Sequence, residues 1–351
     1  MDRRTNRHST HPMPYSILRL AILPCIALLA VPFMARCEDA APRIEKPFSS
    51  EASGMDPAPE RNFIRIATWK IEWFPAGLRH GADENAQLQT AATAALIREF
   101  DPDILVTQET RNLRALVLLN NNLGSRGYSR LASSWYYGEN LEQNLNDKIQ
   151  QQCGILSRFP WSEIWELDFA PFKTANPPVR GWLAARFNIK GRQFVLYNAF
   201  LKSNTGVDNA ETLKANAASR EASIRELKRD LDRLNLDPYR DRIIVLGDFN
   251  TDYFDSRFQG ENTFGKLASM GFQHTWGAES RQNIITYPAA AGDARPDEVY
   301  DYIWLSSACG DPAPQAKVLA KGASKRKGVF GGDEPGLASD HYPVWVDIPL
   351  K

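Results

Sequence analysis

From Phe63 onward, short apolar runs are separated by longer stretches in which apolar residues recur every three to four positions. The short runs predict strands at FIRIATW (63–69), DILVTQE (103–109, after the turn residue Pro102), GYSRLASSWYY (127–137), CGILSRF (153–159) and RIIVLGDFN (242–250). WLAARFNI (182–189) and RQFVLYNAFL (192–201) flank Lys190-Gly191 and read as a hairpin. VYDYIWLS (299–306), QAKVLA (315–320) and HYPVWVDI (341–348) are the remaining strands. The longer stretches predict helices at NAQLQTAATAALIREF (85–100), RNLRALVLLNNN (111–122) and the charged AETLKANAASREASIRELKRDLDRL (210–234), with a short one at FGKLASMGF (264–272). Strands paired by hairpins, with helices between some of them, imply an α+β sandwich, a single domain over residues 62–350. No glycine fingerprint follows the first strand, which excludes a dinucleotide-binding fold.

The N-terminal part departs from this pattern. Residues 1–19 carry several positive charges, and residues 20–35, LAILPCIALLAVPFMA, form an apolar run of signal-peptide length interrupted by Pro24 and Pro32. A membrane span needs about 20 apolar residues, so residues 1–37 read as an export signal and the protein as periplasmic or secreted. Residues 38–61 are rich in Pro, Ser, Ala and charge and read as a flexible linker.

Charge and cysteine content narrow the chemistry. The whole chain balances 42 Lys and Arg against 42 Asp and Glu; without residues 1–37 it has 37 against 41, a net of −4. Bulk charge therefore does not hold a polyanion, and any such binding rests on local patches. KGASKRKG (321–328), with Lys321, Lys325, Arg326 and Lys327, is one candidate; a solvated surface loop is the other reading. Past the export signal only Cys153 and Cys309 remain, too few for a thiolate zinc site. They form either a disulfide, which an oxidising compartment permits, or two buried thiols.

Candidate chemistry collects where apolar strands end. IRIATW runs into Lys70, DILVTQ into Glu109, and IIVLG into Asp248 and Asn250; Asp301 lies within VYDYIWL, and Asp340 and His341 precede the last strand. Strand ends at the rim of a core are rigid mounts for a site. Carboxylates such as Glu109 and Asp340 suit a hard divalent cation, Mg²⁺ or Mn²⁺. In GDFN the Asp and Asn side chains share a face when extended, so one orients and deprotonates water while the other binds a phosphoryl oxygen. Asp301 is suited to hold the His341 imidazole protonated.

ATWKIEWF, DILVTQE, CGILSRFP, LYNAFLKSN, IIVLGDFN, YDYIWLS and SDHYPV, in this order, resemble the endonuclease/exonuclease/phosphatase superfamily, the DNase I-like metal-dependent phosphoesterases. The resemblance spans nearly all of residues 63–348 and rests above all on GDFN together with SDHYP. It implies a four-layer α/β/β/α sandwich of two packed, mostly antiparallel sheets flanked by helices. It also implies a divalent-metal-dependent hydrolase of phosphodiester bonds that works through an Asp-activated water. Glu109 resembles the principal metal ligand and Asp340 a further acid near the metal. Asp248 resembles the water-activating residue, Asn250 the phosphate-positioning group, Asp301 the partner of the imidazole and His341 the phosphate-contacting histidine.

Two positions depart from the resemblance. Lys70 stands for the usual Asn, and Phe200, in NAFLKS, for a histidine. Lys70 either pairs with Glu109 and competes with a metal, reaches toward phosphate, or points outward. Phe200 offers only apolar contact, to substrate or to core. Lys70, Lys202, Arg180, Asn250 and His341 are the candidate phosphate-binding residues, and Trp69, Trp73, Phe74, Trp135, Tyr136 and Tyr137 candidate stacking residues. The expected substrate is a phosphoester of nuclease type, with a membrane phospholipid (sphingomyelinase-like) as the alternative. A catalytically silent phosphoester-binding descendant is the further alternative. A monomer without protein partners is expected.

Overall fold

The computed structural model describes residues 43–76, 83–134, 151–168, 176–204, 209–289, 296–323 and 338–350. The expected export signal lies outside them, as do Trp135, Tyr136, Tyr137, Lys325, Arg326 and Lys327. Among the described residues no helix is long and apolar enough to cross a membrane.

The strands, in chain order, are β1 (Arg43–Glu45), β2 (Phe48–Glu51), β3 (Phe63–Phe74), β4 (Ile104–Thr110), β5 (Arg130–Ser133), β6 (Gln152–Ser157), β7 (Trp161–Asp168), β8 (Leu183–Ile189), β9 (Arg192–Phe200), β10 (Arg242–Asp248), β11 (Phe272–His274), β12 (Asp301–Ser306), β13 (Lys317–Val318) and β14 (Val344–Pro349). They form two seven-stranded sheets, ordered β1-β7-β8-β9-β10-β12-β11 and β13-β14-β3-β4-β6-β5-β2. All pairings are antiparallel except β3 with β4 and β9 with β10. Helices α1 (Asp83–Phe100) and α2 (Leu113–Leu123) pack on the outer face of the second sheet, in one core with Ala67, Trp69, Leu105 and Leu156. Helix α3 (Ala210–Arg233) adds Ile224, Leu227 and Leu231 to the core of the first sheet, and α4 (Thr263–Ser269) adds Phe264 and Leu267. This is the expected four-layer α/β/β/α sandwich.

The two-residue period of the strands explains where the site lies. On β3, Ala67, Trp69 and Ile71 face the helices, whereas Ile64 and Ile66 face the opposite sheet. Thr68 and Lys70 continue that inner row. The register aligns equivalent rows on the neighbours: Ile104, Val106 and Gln108 on β4; Leu196, Asn198 and Phe200 on β9; Ile244, Leu246 and Asp248 on β10; Leu305, Ile303 and Asp301 on β12. Each row begins aliphatic and turns polar toward the same end of the sandwich, except that β9, after Asn198, ends on Phe200. The aliphatic part supplies the burial, at about 1.5–3 kcal/mol per fully buried side chain. At the transition the polar groups are paired across the sheets. Gln108 donates to Asn198 at 2.7 Å, and Asn198 donates to the carbonyls of Thr107 and Gly154 at 3.0 and 2.9 Å.

Four strands were not predicted. β1 and β2 lie in the stretch expected to be a flexible linker, and this corrects that expectation for residues 43–51. β1 pairs with β7 and β2 with β5, each at a sheet edge, where short, polar strands are tolerated. β7, WSEIWELD, carries three acids that masked its alternation. β11 follows α4 where a continuous helix was expected: the helix ends at Ser269, and Gly271, with φ of 93°, turns the chain into the strand. Cys153 and Cys309 are both free and buried, so the disulfide alternative does not hold. Burial pushes their thiols up to about 12 and about 11.

Candidate active site

The polar ends of the inner rows open on a cleft of about 550 Å³. Lys70, Glu109, Arg180, Phe200, Lys202, Asn250, Asp340 and His341 all line it. Asp248 and Asp301 are fully buried and lie opposite each other on β10 and β12. The tertiary structure thus brings together the residues expected to act in catalysis, metal binding and phosphate binding.

Local backbone irregularities aim these side chains. The β3–β4 register shifts between Lys70 and Phe74, and the β4–β6 register between Thr107 and Thr110. Such bulges re-aim side chains at the ends of strands. Trp73, Glu109 and Asn250 all have positive φ, at 43°, 59° and 52°, a strained conformation for non-glycine residues that clusters at functional sites. Gly247 is required at the base of the GDFN loop. Its φ is 147°, and a Cβ there would lie 1.9 Å from the Ala199 carbonyl oxygen.

Lys70 is 7% exposed and makes a two-carboxylate ion pair. Its Nζ lies 3.0 and 3.3 Å from the two carboxylate oxygens of Asp340 and 3.2 Å from Oε1 of Glu109. Burial opposes the ammonium, but Asp340, Glu109 and Asp248 outweigh it and hold the group well above the ordinary lysine range. Burial likewise opposes the Asp340 carboxylate, and Lys70 and His341 pull it below its ordinary value. Glu109 also accepts from the Trp73 backbone N–H at 3.0 Å and from Gln151 at 3.1 Å.

The Lys70 ammonium thus lies between Glu109 and Asp340, the two carboxylates expected to hold Mg²⁺ or Mn²⁺. An ion bound between them needs oxygens at about 2.0–2.1 Å. The ammonium already occupies that position and repels a second cation. Among the described residues no group of three or more His, Cys, Asp or Glu is arranged to hold a metal ion.

Asp248 and Asn250 form a closed unit. Asp248 accepts from the Asn250 backbone N–H at 2.8 Å and from its side-chain amide at 3.0 Å, and the same amide donates to the Leu201 carbonyl at 3.1 Å. In this structure the Asn250 amide is therefore shared between Asp248 and the Leu201 carbonyl. Burial raises Asp248 to about 7, with the Asp301 charge adding to the rise and His341 and Lys70 opposing it. His341 Nδ1 lies 2.6 Å from Asp301, which leaves Nε2 as the second ring donor. Burial lowers the imidazole, but Asp301 and Asp340 outweigh it and raise it to about 9. Ser339 ties this loop to β3: its hydroxyl donates to the Lys70 carbonyl at 2.6 Å and accepts from the Glu72 N–H at 3.0 Å. Trp69 donates to the His341 carbonyl at 2.9 Å.

Phe200, in the histidine's place, carries Arg180. The guanidinium carbon lies 3.6 Å from the ring centroid, a close cation–π contact. Arg180 also donates to Gln151 at 2.9 Å, and Gln151 donates to Glu109. Lys202 donates to the Ser203 carbonyl at 3.0 Å, and burial, with Arg180 and Arg220 nearby, lowers its ammonium.

Of the described aromatics expected to stack, Trp69 and Phe74 are core and only Trp73 lines the cleft. Lys321 pairs with Glu99 on the surface at 2.5 Å. The sequence reading missed Glu72, Gln151, Tyr287 and Tyr300. Two of them carried a signal: Glu72 is two residues from Lys70, and Tyr300 adjoins Asp301. Gln151 and Tyr287 carried none.

Fold and site together define a phosphoesterase-type sandwich. The model of the Endonuclease/Exonuclease/phosphatase family matches residues 67–341, and the chain belongs to that family. Its members are generally phosphoester hydrolases and typically use divalent metals. Similar solved structures include SmcL (15% identity, 82% of this chain and 99% of that one, TM-score 0.57). A family protein from Bacteroides thetaiotaomicron is 17% identical, over 88% of this chain and 100% of that one, with a TM-score of 0.53. Truncated TDP2 from Caenorhabditis elegans is 17% identical, over 82% and 98%, with a TM-score of 0.52. No curated protein sequence matches the chain.

Proposed function

We propose that this protein is an exported hydrolase of phosphodiester bonds. The observation that carries this reading is geometric: His341, 2.6 Å from Asp301, lines the same cleft as Asn250, which holds the buried Asp248; burial raises Asp248 to about 7, and Asp301 raises His341 to about 9 despite burial. Between those values Asp248 is ionised and His341 is charged. Each Asp248 oxygen accepts one hydrogen bond from Asn250 and retains a lone pair for a water proton. A general base near the working pH is well matched to its task. The water oxygen bonds to phosphorus, its proton passes to Asp248, and the bond to the leaving oxygen breaks. The His341 imidazolium stabilises charge on the phosphoryl oxygens. Arg180 and Lys202 line the same cleft and hold the phosphate.

A nucleic-acid substrate is favoured because Trp73, Phe258, Tyr287 and Tyr300 line the cleft beside these cations. Aromatic faces next to a cationic groove suit stacked bases. The test is hydrolysis of bis(p-nitrophenyl) phosphate, single- and double-stranded oligonucleotides, and phospholipid vesicles, with Asp248→Asn as control. Oligonucleotide cleavage that falls by about 10²–10⁴-fold in Asp248→Asn supports the reading. Cleavage of vesicles alone transfers the substrate to lipid. Binding without turnover, in a folded protein, identifies a silent descendant.

A further inference from the structure

We infer that Lys70 is a tethered replacement for a divalent cation, so that the phosphate site of this chain is complete without a bound metal. The inference rests on the phosphoester reading of the cleft but not on turnover. Three observations carry it. The ammonium sits between Glu109 and Asp340, in contact with both carboxylates, the two groups that a metal would need. It comes from β3, Glu109 from β4 and Asp340 from the loop before β14, so three separate segments of the chain converge on one cation. Ser339 further pins the ends of this arrangement by bonding to the Lys70 carbonyl.

The second departure from the family pattern is part of the same rearrangement. Phe200 lies under Arg180 at 3.6 Å, and Arg180 is joined through Gln151 to the same Glu109 oxygen that faces Lys70. The chain has an apolar platform and a guanidinium where an imidazole was expected, and an ammonium where an amide was expected. The Lys70 exchange adds a fixed positive charge at the cleft, and the Phe200 exchange supplies the ring that supports the Arg180 charge. A bidentate guanidinium is a strong phosphate ligand, and an ammonium supplies a point charge. A divalent ion at this place must displace the ammonium from a buried ion pair and leave it uncompensated. That cost weakens metal binding on the order of 10²–10³-fold relative to a site lacking the lysine.

The test uses the full mature chain stripped of metal with chelator. Mn²⁺ alone is titrated calorimetrically into wild type, Lys70→Asn and Lys70→Gln. Inorganic phosphate binding to wild type is measured with and without EDTA. The expected result is no saturable Mn²⁺ binding to wild type below about 1 mM, a one-to-one Mn²⁺ site at least about 10²-fold tighter in the variants, and phosphate binding unaffected by EDTA. Should the variants not fold, the wild-type titrations decide the matter alone. One-to-one micromolar Mn²⁺ binding by wild type overturns the inference, as does phosphate binding that is lost in EDTA or absent throughout. Phosphate binding that persists in EDTA without turnover of any phosphodiester refutes the hydrolase reading and leaves this one standing. Turnover that requires Mn²⁺ does the reverse.

Discussion

Replacing Asp301 by Asn separates the charge logic of the cleft from its packing. The substitution preserves the shape of a side chain that is fully buried and removes the charge 2.6 Å from His341. In the folded protein the imidazole is raised from its ordinary 6.5 to about 9, despite burial, chiefly by Asp301. That difference is worth about 3 kcal/mol. The sign follows from linkage. A group whose folded value lies above its unfolded value contributes fully below the unfolded value and nothing above the folded one. The His341 contribution is therefore complete below about pH 6.5 and gone above about pH 9. Asp248 adds a term of the same slope. Burial and then the Asp301 charge raise it to about 7, so ionising it costs stability as pH rises, and Asp301→Asn relieves part of that cost. The variant is thus expected to lose about 3 kcal/mol at pH 5.5 and less at pH 7.5, and at pH 9.5, where only the Asp248 relief remains, to be at least as stable as the wild type. Urea unfolding of both proteins at those three values measures the loss, and NMR of the His341 ring gives its titration directly. A loss that is constant with pH, or a ring still titrating near 9 in the variant, would refute this account.

Other consequences follow from the same geometry. The efficiency of phosphodiester hydrolysis should rise through about pH 7 as Asp248 ionises and fall through about pH 9 as His341 loses its proton, giving a bell-shaped kcat/KM profile. Phe200→Leu removes the platform under Arg180, and the cation–π contact is worth about 0.5–2 kcal/mol. KM should rise about 2–30-fold with kcat much less affected, and an unchanged KM would show that Arg180 does not need the ring. Gly247→Ala places a Cβ 1.9 Å from the Ala199 carbonyl oxygen at a φ of 147°. It should destabilise the protein by at least about 3 kcal/mol through strain and overpacking, visible as a lower thermal midpoint and soluble yield.

Much of the scaffold was determined by local sequence. The two-residue alternation of FIRIATW, DILVTQE and RIIVLGDFN defines strands whose inner rows are aliphatic and whose last residues are polar. Lys190-Gly191, with φ of 51° and 79°, is a hairpin turn because both positions need positive φ. The order GDFN, then Asp301, then SDH placed the catalytic candidates on strand ends before any contact was known. What local sequence left open was set by pairing over long range. β1 and β2 have polar, proline-flanked compositions that become strands only because sheet edges with unpaired backbone groups await them. The identity of Lys70 was visible, but its role was not. Outward, phosphate-facing and carboxylate-bound positions are equally compatible with a long flexible side chain. Only the convergence of residues 70, 109 and 340, far apart in the chain, decides among them: a buried ammonium must be neutralised, and those two carboxylates lie within reach. The same holds for Phe200, which alone is an apolar side chain and under Arg180 becomes the support of a cation.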